Sequence, residues 1–433
     1  MPRIRAELEA LVRIESVWDD PERRPQVHRS AAAVADLFRR AGFASVDVVG
    51  AGGAPAVIAR HPAPDGAPTV LLYAHHDVQP EGVHAQWSSP PFEPTERDGR
   101  LFGRGTADDK AGIAAHLAAF LAHDGGPPVG VTVFVEGEEE SGSESLPALL
   151  EAHRDDLASD VIVIADSTNW DIGVPSLTTS LRGLADCLVE VRTLDHSVHS
   201  GMWGGVVPDA LTAMARLLST LHDDEGNVAV EGLGSGSATA PDLEYPVERL
   251  RAEAGVADGV ELFGTGSLVE RMWAKPAIAV LGIDAPRATG ASNTLVPVAR
   301  AKVSLRVPPG TNALQARAVL VRHLEEHAPW GARVTVTPGD VGEPFAVDAR
   351  GFAYEVVRSC FRDAWDGTEA VDIGTGGSIP FIELFARTYP DAAILVTGVE
   401  DPDTRAHGTD EGLHLGEFAR VCLAEALLLE RLA

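Results

Sequence analysis

Short apolar runs that stop abruptly at charged residues recur along this chain. Val70–Ala74 runs into His75-His76-Asp77, Val131–Val135 into Glu136, Glu138, Glu139 and Glu140, and Val161–Ala165 into Asp166. Their β-branched and aromatic content predicts strands buried on both faces. A further strand is predicted over Val57–Arg60. Between and around them, apolar residues recur at helical spacing over Arg3–Ile14, Gln26–Ala41 and Leu146–Arg154, and Ile113–Ala122 is an alanine-rich helix. Gly42 is the stop signal of the second helix. Strands alternating with helices predict an α/β fold, a mainly parallel sheet between two helical layers.

After Leu181-Arg182-Gly183 the pattern changes. Ala185–Val191, Ile278–Ile283, Ala299–Val307 and Arg333–Thr337 read as strands, and Pro208–Leu221 and Asn312–His327 as helices. That β-α-β-β-α-β order predicts a small α+β, ferredoxin-like domain inserted into the first. The stretch 227–266 carries no periodicity and reads as a long loop with short helical pieces. From about Glu343 the alternation of helices and apolar strands resumes, with a helix over Gly351–Ala364, a strand over Ala392–Val396 and a closing helix. The expected domains are 1–183 and 342–433 together, with 184–341 inserted between them.

Composition narrows the function. The 433 residues carry 35 Lys+Arg against 64 Asp+Glu, a formal charge of -29, which disfavours nucleic acid and anionic membranes as partners. Cys187, Cys360 and Cys422 are widely spaced, without any CxxC, and indicate neither a disulfide framework nor a thiolate metal site. Glu7 and Glu9 interrupt any leader-like apolar stretch, and no run is long enough for a membrane span. The expectation is a cytoplasmic protein.

The charged stops suggest chemistry by convergence. In open α/β sheets, ligands bind beyond the carboxyl ends of the strands. Here three strands deliver His75/Asp77, Glu139/Glu140 and Asp166 to that rim, and the loop Gly103–Gly112 brings Asp108 and Asp109 to a helix start. A loop near the C-terminus adds His407, followed by Asp410 and Glu411. Imidazoles among carboxylates suit Zn or a related divalent ion, and paired sites share a bridging carboxylate. Asp77 is placed to hold the His75 ring from behind. Of the adjacent Glu139 and Glu140, one can bind metal while the other acts as base.

His75-His76-Asp77-Val78-Gln79-Pro80, Gly103-Arg104-Gly105-Thr106-Ala107-Asp108-Asp109-Lys110, Glu139-Glu140-Ser141-Gly142-Ser143 and His199-Ser200-Gly201 together resemble the cocatalytic zinc metallopeptidase family. That family includes carnosine-type dipeptidases, glutamate carboxypeptidase, aminoacylase, acetylornithine deacetylase and succinyl-diaminopimelate desuccinylase. The resemblance spans nearly the whole chain and is nearest the dipeptidase branch. It implies two divalent metal ions, Zn first and Mn or Co as substitutes, bridged by Asp108. His75 and Asp166 would complete one site, and Glu140 and His407 the other. Glu139 would be the general base for a metal-bridging hydroxide, with Asp77 behind His75.

For the inserted domain, the resemblance implies that His199 reaches a partner subunit's site in a homodimer made through this lid. Asn293, Arg306, Gly376, Gly377 and Ser378 would contact the substrate, Arg306 as a clamp for a terminal carboxylate. One departure stands out. Gly374-Thr375 occupy the place where dipeptidases of this branch carry Arg-Glu, so a charged substrate contact is absent or supplied elsewhere. The expected activity is cleavage of dipeptides or short peptides. Alternatives are deacylation of an N-acyl amino acid and peptide binding without catalysis.

Overall fold

The computed structural model describes the chain apart from Gly125, residues 235–239, Ser378, Ile379 and the side chain of Pro380. The chain forms two compact units. Unit 1 comprises Met1–Thr179, Val347–Ile373 and Leu384–Ala433, and unit 2 comprises Ser180–Ala346 and Gly374–Glu383.

Unit 1 is built on a six-stranded sheet in the order Ser45–Val49, Ala56–His61, Gly130–Glu136, Thr69–His75, Val161–Ile164, Ala393–Val396. The last four run parallel, and the first two are antiparallel additions at one edge. Every residue of Gly130–Glu136 and Val161–Ile164 is buried, which is why these strands read as unbroken apolar runs rather than alternating ones. The helices Pro2–Val12, Arg24–Ala41, Lys110–Leu121, Phe352–Ala364 and Leu415–Arg431 pack with Val70, Leu72, Val131, Val133 and Val163 into one core. On the opposite face Tyr73 packs edge-on to Phe385 and against Phe134. Gly42 ends the second helix with a left-handed φ of 99°, its N–H bonding back to Arg39 O, as the stop signal required.

The parallel register puts the carboxyl ends of four strands on one edge of the sheet. That edge is where His75, the Glu139-Glu140 turn, Asp166 and the loop leading to His407 begin. The last loop depends on a glycine for close approach. A Cβ at Gly398 would lie 1.4 Å from Ser167 O, and Asn169 Nδ2 donates to Gly398 O at 3.1 Å. Any side chain there would push the loops bearing Asp166 and His407 apart.

Unit 2 contains a four-stranded antiparallel sheet in the order Ala277–Asp284, Val298–Val307, Gly183–Arg192, Arg333–Gly342. The helices Ala210–Leu218 and Ala313–Glu326 share its core through Met214, Leu217, Leu320 and Leu324. This is the expected ferredoxin-like order, with the fourth strand running longer than the sequence pattern suggests. Within 227–266 a short helix spans Val247–Glu253. The glycine stretch Gly374–Glu383 groups with unit 2 instead of returning with the rest of 342–433. The reason is local: Arg182 N donates to Thr375 O at 3.1 Å, and Gly374 lies against Trp273, where a Cβ would meet the Trp273 Cβ at 2.6 Å.

Candidate metal centre

Seven unit 1 residues singled out from the sequence, His75, Asp77, Asp108, Glu139, Glu140, Asp166 and His407, meet at the strand-end edge. Asp108 precedes the Lys110–Leu121 helix, whose first turn is capped by Asp109 through Gly112 N. The second oxygen of Asp109 accepts from His75 N at 3.2 Å, so this residue ties the helix start to the strand end and does not face the cluster. The two oxygens of Asp108 address different imidazoles. Oδ1 lies 3.1 Å from His75 Nε2, and Oδ2 lies 3.0 Å from His407 Nε2. Glu140 Oε2 is 3.1 Å from His407 Nε2, while Asp166 Oδ1 and Glu139 Oε2 stand 3.8 and 3.9 Å from His75 Nε2. Two groups with donor atoms within 4.8 Å result: His75, Glu139 and Asp166 in one, Asp108, Glu140 and His407 in the other.

The supporting contacts explain why these side chains hold their places. His75 Nδ1 is 3.1 Å from the Asp77 carbonyl and 3.5 Å from its carboxylate, which fixes Nε2 toward the cluster. The Asp77 carboxylate accepts from the backbone N–H groups of Glu139 and Glu140, at 3.2 and 3.1 Å. It therefore joins the first strand end to the acidic turn. Gln79 N and Nε2 both donate to the Glu140 carboxylate, at 3.1 and 2.9 Å. Glu411 is fully buried and accepts from Arg104 Nη1, Gly105 N, Ala107 N and Asp108 N. That single carboxylate fastens the loop of His407 to the loop of Asp108.

Two members of the acidic run serve the scaffold instead. Glu138 caps Ala54 N and Ser145 N, and Glu136 accepts from Tyr73 OH at 2.7 Å. Asp410 turns away to accept from Ser88 N and Oγ. Sequence reasoning passes over Gln79, Gly398 and Glu400. The first stands in a motif but is neutral, the second has no side chain, and the third is separated from His407 by a loop with no periodicity. Desolvation, then the negative charge of Asp108 and Asp166, push the Glu400 carboxyl well above the ordinary value.

Electrostatics identifies what is missing from a purely protein account. Desolvation, then the nearby Asp166, hold the Glu139 carboxyl well above its usual range, and desolvation with Asp108 raises Glu140. His407 is pushed up to about 11 by its hydrogen bonds to Asp108 and Glu140. Burial opposes charge on His75, yet Asp108, Asp166 and Asp77 raise it well above its ordinary value. Clustered acids of this kind demand positive charge, and protons on the two imidazoles provide it where cations would. Oxygen and imidazole donors suit Zn, Mn or Co and give no soft thiolate site. The residues present fit a pair of divalent ions.

In unit 2, His199 lies on a two-residue strand paired with Thr294–Leu295, and Ser200 N donates to Asn293 O at 2.9 Å. His199 Nδ1 accepts from Gly201 N at 3.0 Å, so in the neutral ring Nε2 carries the proton. Arg306 sits on the Val298–Val307 strand opposite Leu184, and Gly376 lies against the Arg182 guanidinium. Ser378 lies outside the described residues.

Comparison with known proteins agrees with this geometry. The sequence profile of Peptidase family M20/M25/M40 matches residues 71–431. A cysteinylglycine-S-conjugate dipeptidase of Corynebacterium striatum is 39% identical over 368 residues, covering 84% of this chain and 81% of the relative. The β-Ala-His dipeptidase of Homo sapiens is 28% identical over 415 residues, covering 88% and 80%. The solved M20 family metallo-carboxypeptidase of Sulfolobus solfataricus superposes with a TM-score of 0.85 at 20% identity, covering 100% of this chain and 99% of that one. With a strand-end cluster of imidazoles and carboxylates and a profile match over most of its length, the chain belongs to peptidase family M20/M25/M40 and is a metal-dependent peptidase.

Proposed function

We propose that this protein is a dipeptidase carrying two divalent metal ions, Zn in the first place. The observation that carries the reading is Asp108, with one oxygen at each of two imidazoles. In this scheme His75, Asp108 and Asp166 hold one ion, and Asp108, Glu140 and His407 the other. Ions bound there supply positive charge that polarises an amide carbonyl and acidifies a water. Glu139 is the general base: its raised affinity for protons suits it to take one from the attacking water and pass it to the leaving amine. Asp77 keeps Glu139 and Glu140 in place through their backbone N–H groups.

The unit 2 residues take the remaining roles. His199 offers Nε2–H to a developing oxyanion, and Arg306, Asn293, Gly376, Gly377 and Ser378 receive the carboxyl end of the substrate. A homodimer through unit 2 is part of the reading. It is supported by the edge strand Ala277–Asp284, which exposes Val280, Leu281 and Ile283, and by exposed Met202, Trp203 and Val206 just after His199. Such a row of apolar edge residues is a template for pairing with another chain. A cytoplasmic location completes the proposal, and no described helix is long and apolar enough to cross a membrane.

The test is a substrate panel on protein reconstituted with Zn, Mn or Co. Cysteinylglycine S-conjugates, β-Ala-His and plain dipeptides are set against N-acetyl and N-succinyl amino acids. Turnover of the dipeptides, lost on chelation and restored by metal, is expected. Turnover of the acyl set alone would replace the reading with a deacylase, and no turnover with metal bound would leave a binding protein.

A further inference from the structure

Unit 2 holds a cavity of about 520 Å³, half open to solvent and lined wholly by its own residues. That volume is in the range of sites that hold small organic ligands. Its walls are mainly apolar, with Leu250, Leu262, Phe263 and Leu268 among them. Three cations, Arg182, Arg271 and Lys275, complete the lining, and no acidic residue among the described ones does so. This local positive balance runs against the chain's formal charge of -29.

The cations differ in how they are satisfied. Arg271 Nη1 donates to Phe263 O and Gly264 O at 3.1 and 3.2 Å, and Lys275 Nζ to Thr265 O at 2.7 Å. Arg182 has only long contacts, 3.4 and 3.5 Å, from Nη1 to the carbonyls of Arg271 and Lys275. Its Nε is buried with no partner, and no described carboxylate pairs with it. Burial and the like charge of Arg306 lower its pKa to about 10. A second buried nitrogen without a partner, His222 Nε2, belongs to the same lining, its ring edge-on to Phe263. Buried polar groups are ordinarily hydrogen-bonded, so the unmet Arg182 Nε–H leaves a place for an acceptor, and His222 Nε2 can donate or accept beside it according to its tautomer.

We propose that this cavity binds an apolar carboxylic acid, its carboxylate at Arg182 and its hydrocarbon body against Leu250, Leu262, Phe263 and Leu268. A guanidinium favours a carboxylate because two N–H groups meet two oxygens. The inference stands on unit 2 alone and requires nothing of the metal centre. The acid can be a free metabolite or the carboxyl end of a larger ligand, and both present the same chemistry.

Calorimetric titration of the full-length, metal-loaded protein with butyrate, hexanoate, octanoate and octylamine tests it. Saturable 1:1 binding of octanoate is expected, tightening about fourfold per added methylene along the acid series, with octylamine weaker by at least roughly tenfold. R182M is expected to weaken octanoate binding by roughly tenfold or more without lowering Tm, because the guanidinium it removes has no acidic partner. L262W, which adds bulk to the apolar wall, is expected to weaken octanoate binding. Absence of saturable octanoate binding, equal binding of octylamine, or unchanged binding by both variants would overturn the proposal. Peptidase assays with octanoate separate the two sources: a raised KM alone marks the carboxyl end of a substrate, and an altered kcat at constant KM marks a separate effector.

Discussion

Asp108 has no oxygen to spare. With Oδ1 committed to His75 and Oδ2 to His407, replacing either oxygen by an amide nitrogen puts a donor where an acceptor is needed. Asp108→Asn is expected to bind neither ion at full stoichiometry, measured by elemental analysis after dialysis. Glu139→Gln should separate from it cleanly, keeping its metal while kcat falls by about 10²–10⁴-fold; near-normal kcat would remove Glu139 from the base role. The imidazoles make metal loading pH-dependent. The carboxylates around both rings raise their proton affinity without metal, that of His407 to about 11, so loading should release protons and apparent affinity should climb from pH 6 to 8. A flat profile would show that the two rings are not ligands. The metal-free protein carries the opposite sign. His407 has a folded value raised above its ordinary 6.5, so its contribution is fully present below that value and is lost as pH rises through about 11. Half exposure of the ring keeps the effect small.

At the scale of loops and strands, the site is a set of fastened ends. Glu411 receives four donors from the Arg104–Asp108 loop and is the partner of a fully buried guanidinium. Glu411→Ala is expected to cost about 3–5 kcal/mol of stability, because Arg104 is left buried and unpaired. Chelator titration should also show the ion held by His407 leaving first. Retained Tm would mean that Arg104 finds another acceptor. The elements differ in how legible they are. The central strands announce themselves because both faces are buried and nearly every position before the charged stop is apolar. The edge strand Ser45–Val49 hides, since half its positions face solvent and Asp47 breaks the run. Likewise the acidic turn is readable as a cluster, yet composition does not tell that Glu136 and Glu138 bond to the scaffold while their neighbours face the site. Gly398 shows the limit most plainly, because its value lies in what it leaves out.

For the whole molecule, the two compact units divide between Thr179 and Ser180, near the change of pattern in the sequence, and the ferredoxin-like order is legible from strand and helix spacing. The allegiance of Gly374–Glu383 is not, because it rests on long-range contacts with Arg182 and Trp273 that no periodicity encodes. Leu281→Lys on the exposed edge strand is expected to shift a dimer to monomer in sedimentation velocity, with the metal content unchanged. A dimer that survives would move the interface elsewhere on unit 2.

The order of strands also dictates when the chain can work. Val161–Ile164 waits for Ala393–Val396, more than two hundred residues downstream, and His407 follows that strand. A polypeptide made only as far as residue 392 therefore presents a sheet with one side open, and it carries His75 without His407. On the proposed two-ion reading, the paired cluster closes only once residue 407 has been made, so its two halves wait for each other across more than three hundred residues.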